Sequence, residues 1–333
     1  MGRKKVTMKD IAEELDISIV SVSKALAGKE GVGDDLRQEI IDKAAEMGYV
    51  MKVKSRDQEQ EINIAVLISE RFISDKSFYL RVYQKILMEL STRGYIGILE
   101  IVRADSEREG ILPKIVTMDS VAQVIVVGQM ESRFLEELVK TEKKIIFFDF
   151  EDEEFDVDSI VGDNVNGGYT LTRYLVKSGY RKIGFVGNYK ATRSILDRFV
   201  GYLKYLMAKD QLIDDKWTIM DRDREGNHIP LKLPRSMPEA FVCNCDETAS
   251  RLIVTLKKAG YRVPEDVAVV GYDDYVDVAP EGVRLTTYHV NTDEMVRQCI
   301  RIVEQRVANP EYRHGTTVIY GNLVVGNTTP SQQ

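Results

Sequence analysis

Val6 to Gly28 reads VTMKDIAEELDISIVSVSKALAG. Thr7 stands where a helix wants a capping hydroxyl, and Ile11, Ala12 and Leu15 then share one face of a helix over Met8–Leu15. Asp16-Ile17-Ser18 makes a turn. Ser18 caps a second helix, Ile19–Ala27, whose Val22, Ala25 and Leu26 fall together, and Gly28 ends it. A third helix is predicted from Asp34-Asp35, with Leu36, Ile40, Ala44 and Met47 at helical spacing, to Gly48. Helix, tight turn, helix and supporting helix is the layout of a helix-turn-helix, whose second helix lays its N-terminal side chains in the DNA major groove. Ile19, Val20 and Lys24 are left outside the predicted core. A lysine can donate to guanine O6 and N7, and an aliphatic side chain can meet a thymine methyl. Ser21, Ser23 and the basic arm suit phosphates, which fix register without reading sequence. With Thr7 and Ser18 these residues make up the candidate DNA contacts on the head. A three-helix bundle that binds some other partner would show the same bare pattern.

The charge supports that division of labour. Of 333 residues, the first 56 hold 11 Lys and Arg against 10 Asp and Glu, while the rest hold 35 against 43. An acidic body repels a polyanion, so nucleic-acid contacts belong to the head. Met51 to Glu61 is polar apart from Met51 and Val53 and reads as a linker, with Lys52, Lys54 and Arg56 placed to follow phosphates. No apolar run approaches the roughly 20 residues of a membrane span, and no apolar region follows the basic Met-Gly-Arg-Lys-Lys start, so neither membrane nor export is expected. Three cysteines suit a reducing, cytoplasmic setting.

From residue 62 onward, apolar strand-sized runs alternate with helical stretches. Strands are predicted at Ile62–Ser69, Tyr95–Val102, Val121–Gly128, Ile145–Phe150, Lys182–Gly187, Ala240–Cys243 and Val267–Tyr272. Helices are predicted around Phe78–Arg93, from Asn164 to Ser178, over Arg193–Lys209 and over Glu247–Ala259. Repeated βα units call for parallel sheets covered by helices on both faces. The series is too long for one ordinary sheet, so two similar halves with a cleft between them are expected. Ligands of such sheets bind beyond the carboxyl ends of the strands, at the switch point.

Specific wording sharpens this. Val6-Thr7-Met8-Lys9-Asp10-Ile11-Ala12, Ser21-Val22-Ser23-Lys24-Ala25-Leu26, Gly48-Tyr49, Gly162-Asp163-Asn164, Gly179 to Gly187 and, above all, Pro264-Glu265-Asp266-Val267-Ala268-Val269-Val270-Gly271-Tyr272-Asp273-Asp274 resemble, in chain order, the lactose-repressor (LacI/GalR) family. The resemblance implies a cytoplasmic homodimeric regulator, read as a repressor. Its head would bind a pseudo-palindromic operator in double-stranded DNA, and its body would take a small, sugar-like effector. No cofactor is implied. It implies a helix-turn-helix head over 1–50, a hinge over 51–61 and a body like a periplasmic sugar-binding protein over 62–333. The body's two doubly wound subdomains would comprise about 62–161 with 291–320 and about 162–290 with 321–333, joined by three crossovers. No leucine-heptad tail follows Val324-Val325-Gly326, which favours a dimer over a tetramer.

The resemblance also places the sites. Ile19, Val20 and Lys24 fall on the family's base-reading positions, with Lys where Arg is usual. Gln58 stands where the hinge leucine that wedges into the minor groove is expected, which calls for Met51 or Val53 in its place, or a less bent operator. Phe78 and Tyr79 fall beside the effector. Arg198 and Asp273 match effector-binding positions, and Asp149, at the end of a strand, joins them; an arginine between two carboxylates is a good clamp for hydroxyl groups. Cys245 replaces a ligand-binding Asn and Asp246 follows it. Val290 stands where sugar-responsive relatives carry Gln. A metal or redox role for Cys243 and Cys245 lacks third and fourth ligands nearby in sequence. The competing reading is a nucleotide- or sugar-dependent enzyme on a doubly wound fold. Against it, the first βα turn, Ser69-Glu70-Arg71-Phe72-Ile73, has no glycine to cradle a phosphate, and no nucleophile elbow occurs. A transport binding protein would need export and would have no use for the head.

Overall fold

The structure is a computed structural model that describes residues 8–15, 17–26, 32–33, 36–40, 43, 47, 62–73, 78–223, 226–275, 279–308 and 312–330. The chain divides into two units, Met1–Gln60 and Glu61–Gln333.

In the first unit α1 (Met8–Glu14) and α2 (Ile19–Leu26) bury Ile11, Ala12, Val22 and Ala25 together with Ile40, which lies on a helical stretch over 36–40. Leu15, Ile17, Val32, Leu36 and Met47 close around this core. Ser18 Oγ accepts the Ser21 backbone N–H at 3.0 Å, satisfying a first-turn donor that has no helical acceptor. At the other end Arg37 donates to the Ala25 carbonyl at 3.2 Å.

The second unit holds two six-stranded sheets. The first lobe orders its strands β2-β1-β3-β4-β5-β11 and the second β7-β6-β8-β9-β10-β12. In chain order these are β1 (Asn63–Ser69), β2 (Ile96–Val102), β3 (Val121–Val127), β4 (Lys144–Phe148), β5 (Asp158–Gly162), β6 (Ile183–Val186), β7 (Thr218–Ile219), β8 (Ala240–Cys243), β9 (Ala268–Asp273), β10 (Thr286–His289), β11 (Thr316–Ile319) and β12 (Asn322–Val324). All pairings are parallel except β10 with β12. The central strands are buried on both faces, so they read as continuous apolar runs rather than as alternation. Helices α3 (Phe78–Thr92), α4 (Ala104–Glu109), α5 (Ser132–Val139), α6 (Asn164–Lys177), α7 (Arg193–Ala208), α8 (Asp246–Lys258) and α9 (Thr292–Ala308) cover the faces.

The chain passes between the sheets three times: from β5 through α6 to β6, from β10 through α9 to β11, and directly from β11 to β12. Buried Asp158, at the start of β5, holds the second passage. It accepts from Arg306 Nε at 2.6 Å, Tyr312 Oη at 2.9 Å and the Gly315 N–H at 3.0 Å.

Two glycines set the geometry that matters for the site. Helices α6 and α7 cross so closely that a Cβ on Gly201 would meet the Val165 carbonyl, and one on Gly168 would meet the Arg198 carbonyl. Only glycine permits that approach, and it carries Arg198 to the end of the second sheet.

Candidate functional site

On the head, α2 is split lengthwise. Val22 is fully buried, whereas Val20, two residues earlier, is 63% exposed. Ile19 and Lys24 are exposed beside it, and Ser23 lies on the same helix. The apolar exposure is the informative part, because a valine facing water on a short helix contributes nothing to that helix's own packing. Ser18 and Ser21 are engaged with each other, their hydroxyls 2.9 Å apart. Thr7, Lys52, Lys54 and Arg56 lie outside the described residues, as do Met51, Val53 and Gln58 of the linker.

In the body, a cavity of about 330 Å³ opens between the two lobes beyond the carboxyl ends of their strands. That is the size of a small-metabolite site, in the place the topology assigns to ligands. The first lobe contributes Arg71 and Phe72 from the turn after β1, Phe78 and Tyr79 from the start of α3, and Asp149 from the end of β4. The second contributes Arg198 from α7, Arg222, Asn227 and His228 from the segment after β7, Asn244 and Cys245 after β8, Glu247 from α8, and Asp273 and Tyr275 at the end of β9.

Arg198 is the hub. Its Nε donates to Asn164 Oδ1 at 2.9 Å, its Nη1 donates to the Asn244 carbonyl at 2.7 Å, and its guanidinium carbon sits 3.8 Å above the Tyr272 ring. Asp273 Oδ1 is 3.6 Å from Nη1. Across the cavity, Tyr79 Oη donates to Asp149 Oδ2 at 2.9 Å. Asp149 and Asp273 occupy equivalent positions at the ends of β4 and β9, and both have left-handed backbones, with φ of 68° and 107°. Such conformations cost non-glycine residues free energy and collect at ligand clamps. Burial pushes both carboxyls above their usual range, well above for Asp273, with Arg198 pulling each part of the way back. Burial also drives the Tyr79 hydroxyl up, and the Asp149 charge adds to it. The cavity therefore offers desolvated carboxylate acceptors beside a fixed guanidinium and an aromatic wall of Phe72, Phe78 and Tyr79, an arrangement fitted to binding a polyhydroxylated molecule.

Of the residues expected at the effector, Phe78, Tyr79, Asp149, Arg198, Cys245 and Asp273 come together here; Asp246 does not. It begins α8 and turns inward behind the wall, where Oδ1 accepts from Thr287 Oγ1 at 2.7 Å and Oδ2 from the Tyr275 N–H at 2.6 Å. Burial pushes its carboxyl up to about 7 against those hydrogen bonds. Asp246 thus ties β8, β9 and β10 together rather than meeting a ligand. Val290 is buried in the core and does not line the cavity. Cys243 packs into the second lobe's core, while Cys245 opens on the cavity, its thiol raised by burial to about 11 despite Arg222. Among the described residues no group of three or more His, Cys, Asp or Glu is arranged for a metal, and no helix is long and apolar enough to cross a membrane.

Sequence reasoning missed Arg222 and its platform. Asp221, fully buried, accepts from the Asn188 N–H at 2.8 Å, Asn244 Nδ2 at 2.9 Å, Thr248 Oγ1 at 2.7 Å and Arg222 Nε and Nη2 at 3.0 and 2.8 Å. Burial alone would raise this carboxyl, but Arg222 and the hydrogen bonds outweigh it and hold it at about 2. The motif Asp221-Arg222-Asp223 sits in a stretch with no periodicity, so spacing gave no signal.

The fold as a whole is similar to those of known proteins. Residues 172–329 match the profile of a periplasmic binding protein-like domain. The chain is 24% identical to the ribose operon repressor of Haemophilus influenzae over 328 residues, covering 96% of this chain and 97% of that protein. Among solved structures, the cellobiose complex of the transcriptional regulator CelR superposes with a TM-score of 0.68 at 21% identity, covering 97% of this chain and all of that one. The lac repressor dimer bound to operator and the anti-inducer ONPF gives the same TM-score at 18% identity, covering 98% of this chain and all of the other.

Proposed function

We propose that the chain is a member of the lactose-repressor (LacI/GalR) family of transcription regulators, a homodimeric repressor whose hold on operator DNA is set by a small metabolite in the interlobe cavity. Its relatives regulate transcription rather than catalyse reactions. On this reading Ile19, Val20 and Lys24 read base edges. Ser21 and Ser23, with Thr7, Ser18, Lys52, Lys54 and Arg56, hold phosphates. A dimer presents two such helices to two half-sites, with a spacing set by the DNA helical repeat of about 34–36 Å. DNA as partner makes the address cytoplasmic.

The single observation that carries the reading is the split face of α2, which keeps Val22 and Ala25 in a core while leaving Ile19, Val20 and Lys24 to solvent. The clamp of Arg198, Asp149 and Asp273, with Phe78, Tyr79 and Cys245 beside it, supports a carbohydrate or related effector. The effector acts by preferring one of two lobe arrangements, with a coupling to DNA affinity on the order of 1–3 kcal/mol. The experiment is footprinting of the full-length protein on promoter fragments from its own genome, with and without candidate metabolites. A protected inverted repeat whose occupancy changes with one metabolite supports the reading. Protection that is equally weak on every fragment counts against it.

A further inference from the structure

The cavity is electrostatically lopsided. Around Arg198 the lining itself supplies carboxylates, Asp149 and Asp273. By contrast, the carboxylates that directly grip Arg222 and Arg71 stand behind the wall. Asp221 holds Arg222 through Nε and Nη2, and Glu107, also buried, lies 3.0 Å from Arg71 Nη2. Neither Asp221 nor Glu107 lines the cavity. A further lining carboxylate, Glu247, is engaged with His228 Nε2 at 3.1 Å. Held on one edge by Asp221, the Arg222 guanidinium keeps Nη1 without a partner among the described residues, whereas Arg71 donates through Nη2 to the Gln129 carbonyl at 2.6 Å and sets Nη1 3.7 Å from Glu131. A rigid guanidinium with an open donor, Arg222, braced from behind, forms a receptor for an oxyanion with the charge of Arg71 in the same lining, since charge-assisted bonds to arginine are the strong ones and follow its planar geometry. In the same cavity, Asp273 and the free oxygen of Asp149 call for hydroxyl donors.

We propose that the effector is an acidic polyol, a hydroxylated molecule bearing a carboxylate or phosphate, whose anionic end is received by Arg222 with Arg71 while its hydroxyls face Asp149, Asp273 and Arg198. This rests on the cavity being the effector site. The test equilibrates the full-length protein with three pools: neutral pentoses and hexoses, hexonates and hexuronates, and sugar phosphates. Retained species are identified by mass spectrometry and titrated by calorimetry. Retention from an acidic pool is expected, and which acidic pool separates carboxylate from phosphate. Arg222→Gln then weakens that ligand by roughly tenfold or more. Arg222→Lys, which keeps Asp221 paired but loses the forked edge, serves if the Gln variant does not fold. Preference for a neutral sugar, no retention from any pool, or an acid bound equally by the Arg222 variants overturns the inference. Retention indifferent to Asp273→Asn as well as to the Arg222 variants overturns the cavity reading itself.

Discussion

Replacing Gly201 by alanine tests whether the crossing of α6 and α7 is what positions the clamp. On helix propensity alone the change stabilises, because alanine is favoured over glycine in a helix interior by about 1 kcal/mol. The structure argues for the opposite sign. The new Cβ would collide with the Val165 carbonyl oxygen and stand 2.8 Å from the Tyr169 amide nitrogen and 2.9 Å from the Val165 carbonyl carbon. These are backbone atoms of α6 and cannot rotate away, so the helices must part. Overpacking of this kind costs about 1–3 kcal/mol, which leaves a net loss of up to about 2 kcal/mol after the propensity gain. The melting temperature should fall by several degrees, at about 2–4 °C per kcal/mol. Effector affinity should fall with it, because Arg198 lies one turn earlier on α7 and takes its position from Asn164 and the Asn244 carbonyl. Gly168→Ala, whose Cβ would meet the Arg198 carbonyl, should behave alike. Gly162→Ala is the control, since its Cβ meets only Val290, at 3.9 Å. Thermal unfolding and a metabolite titration on each variant provide the readouts. A Gly201→Ala protein more stable than the parent, as helix propensity alone would give, refutes the close-crossing argument.

Three further outcomes follow from particular side chains. Lys24→Ala should weaken specific operator binding by about 1–3 kcal/mol in a gel-shift titration, and an unchanged footprint removes Lys24 from the base-reading set. Arg198→Ala should abolish the metabolite response while the operator complex still forms; a variant that still responds places the effector elsewhere. Asp246 gives a pH test. Its folded pKa of about 7 lies above its unfolded value, so the native state holds a proton that the unfolded chain releases, and stability falls as pH rises from about 4 to about 7. Asp246→Asn should flatten that decline across melting curves taken in this window, and parallel curves for the two proteins count against a neutral native Asp246. Asp221, depressed to about 2, works in the opposite sense and stabilises the fold above the ordinary carboxylate range.

The fold was legible where burial leaves a one-dimensional trace. Ile64 to Ile68 and Val124 to Val127 are apolar without interruption because helices cover both faces of their strands. The edge strands left no such trace: β7 has two residues, and β11 and β12 are short, half exposed and rich in Thr and Asn. The head was readable for a related reason, since α2 alternates buried and exposed positions at helical spacing. In the cavity, Asp273 was visible through the family wording and Asp149 through its place at the end of a strand. Asp246 was misplaced because adjacency to Cys245 says nothing about direction; the start of α8 turns consecutive side chains to opposite sides of the wall. Arg222 stayed hidden because its role depends on Asn188, Asn244 and Thr248, residues from distant parts of the chain that meet only at Asp221.

The most direct test of the whole account is operator affinity of the full-length protein, measured with its cavity ligand absent and saturating, in the parent and in Asp273→Asn. The account predicts that the ligand shifts the parent's affinity by roughly 5- to 150-fold and leaves Asp273→Asn unmoved. A ligand that shifts both proteins equally, or an operator complex indifferent to any molecule the cavity holds, contradicts it.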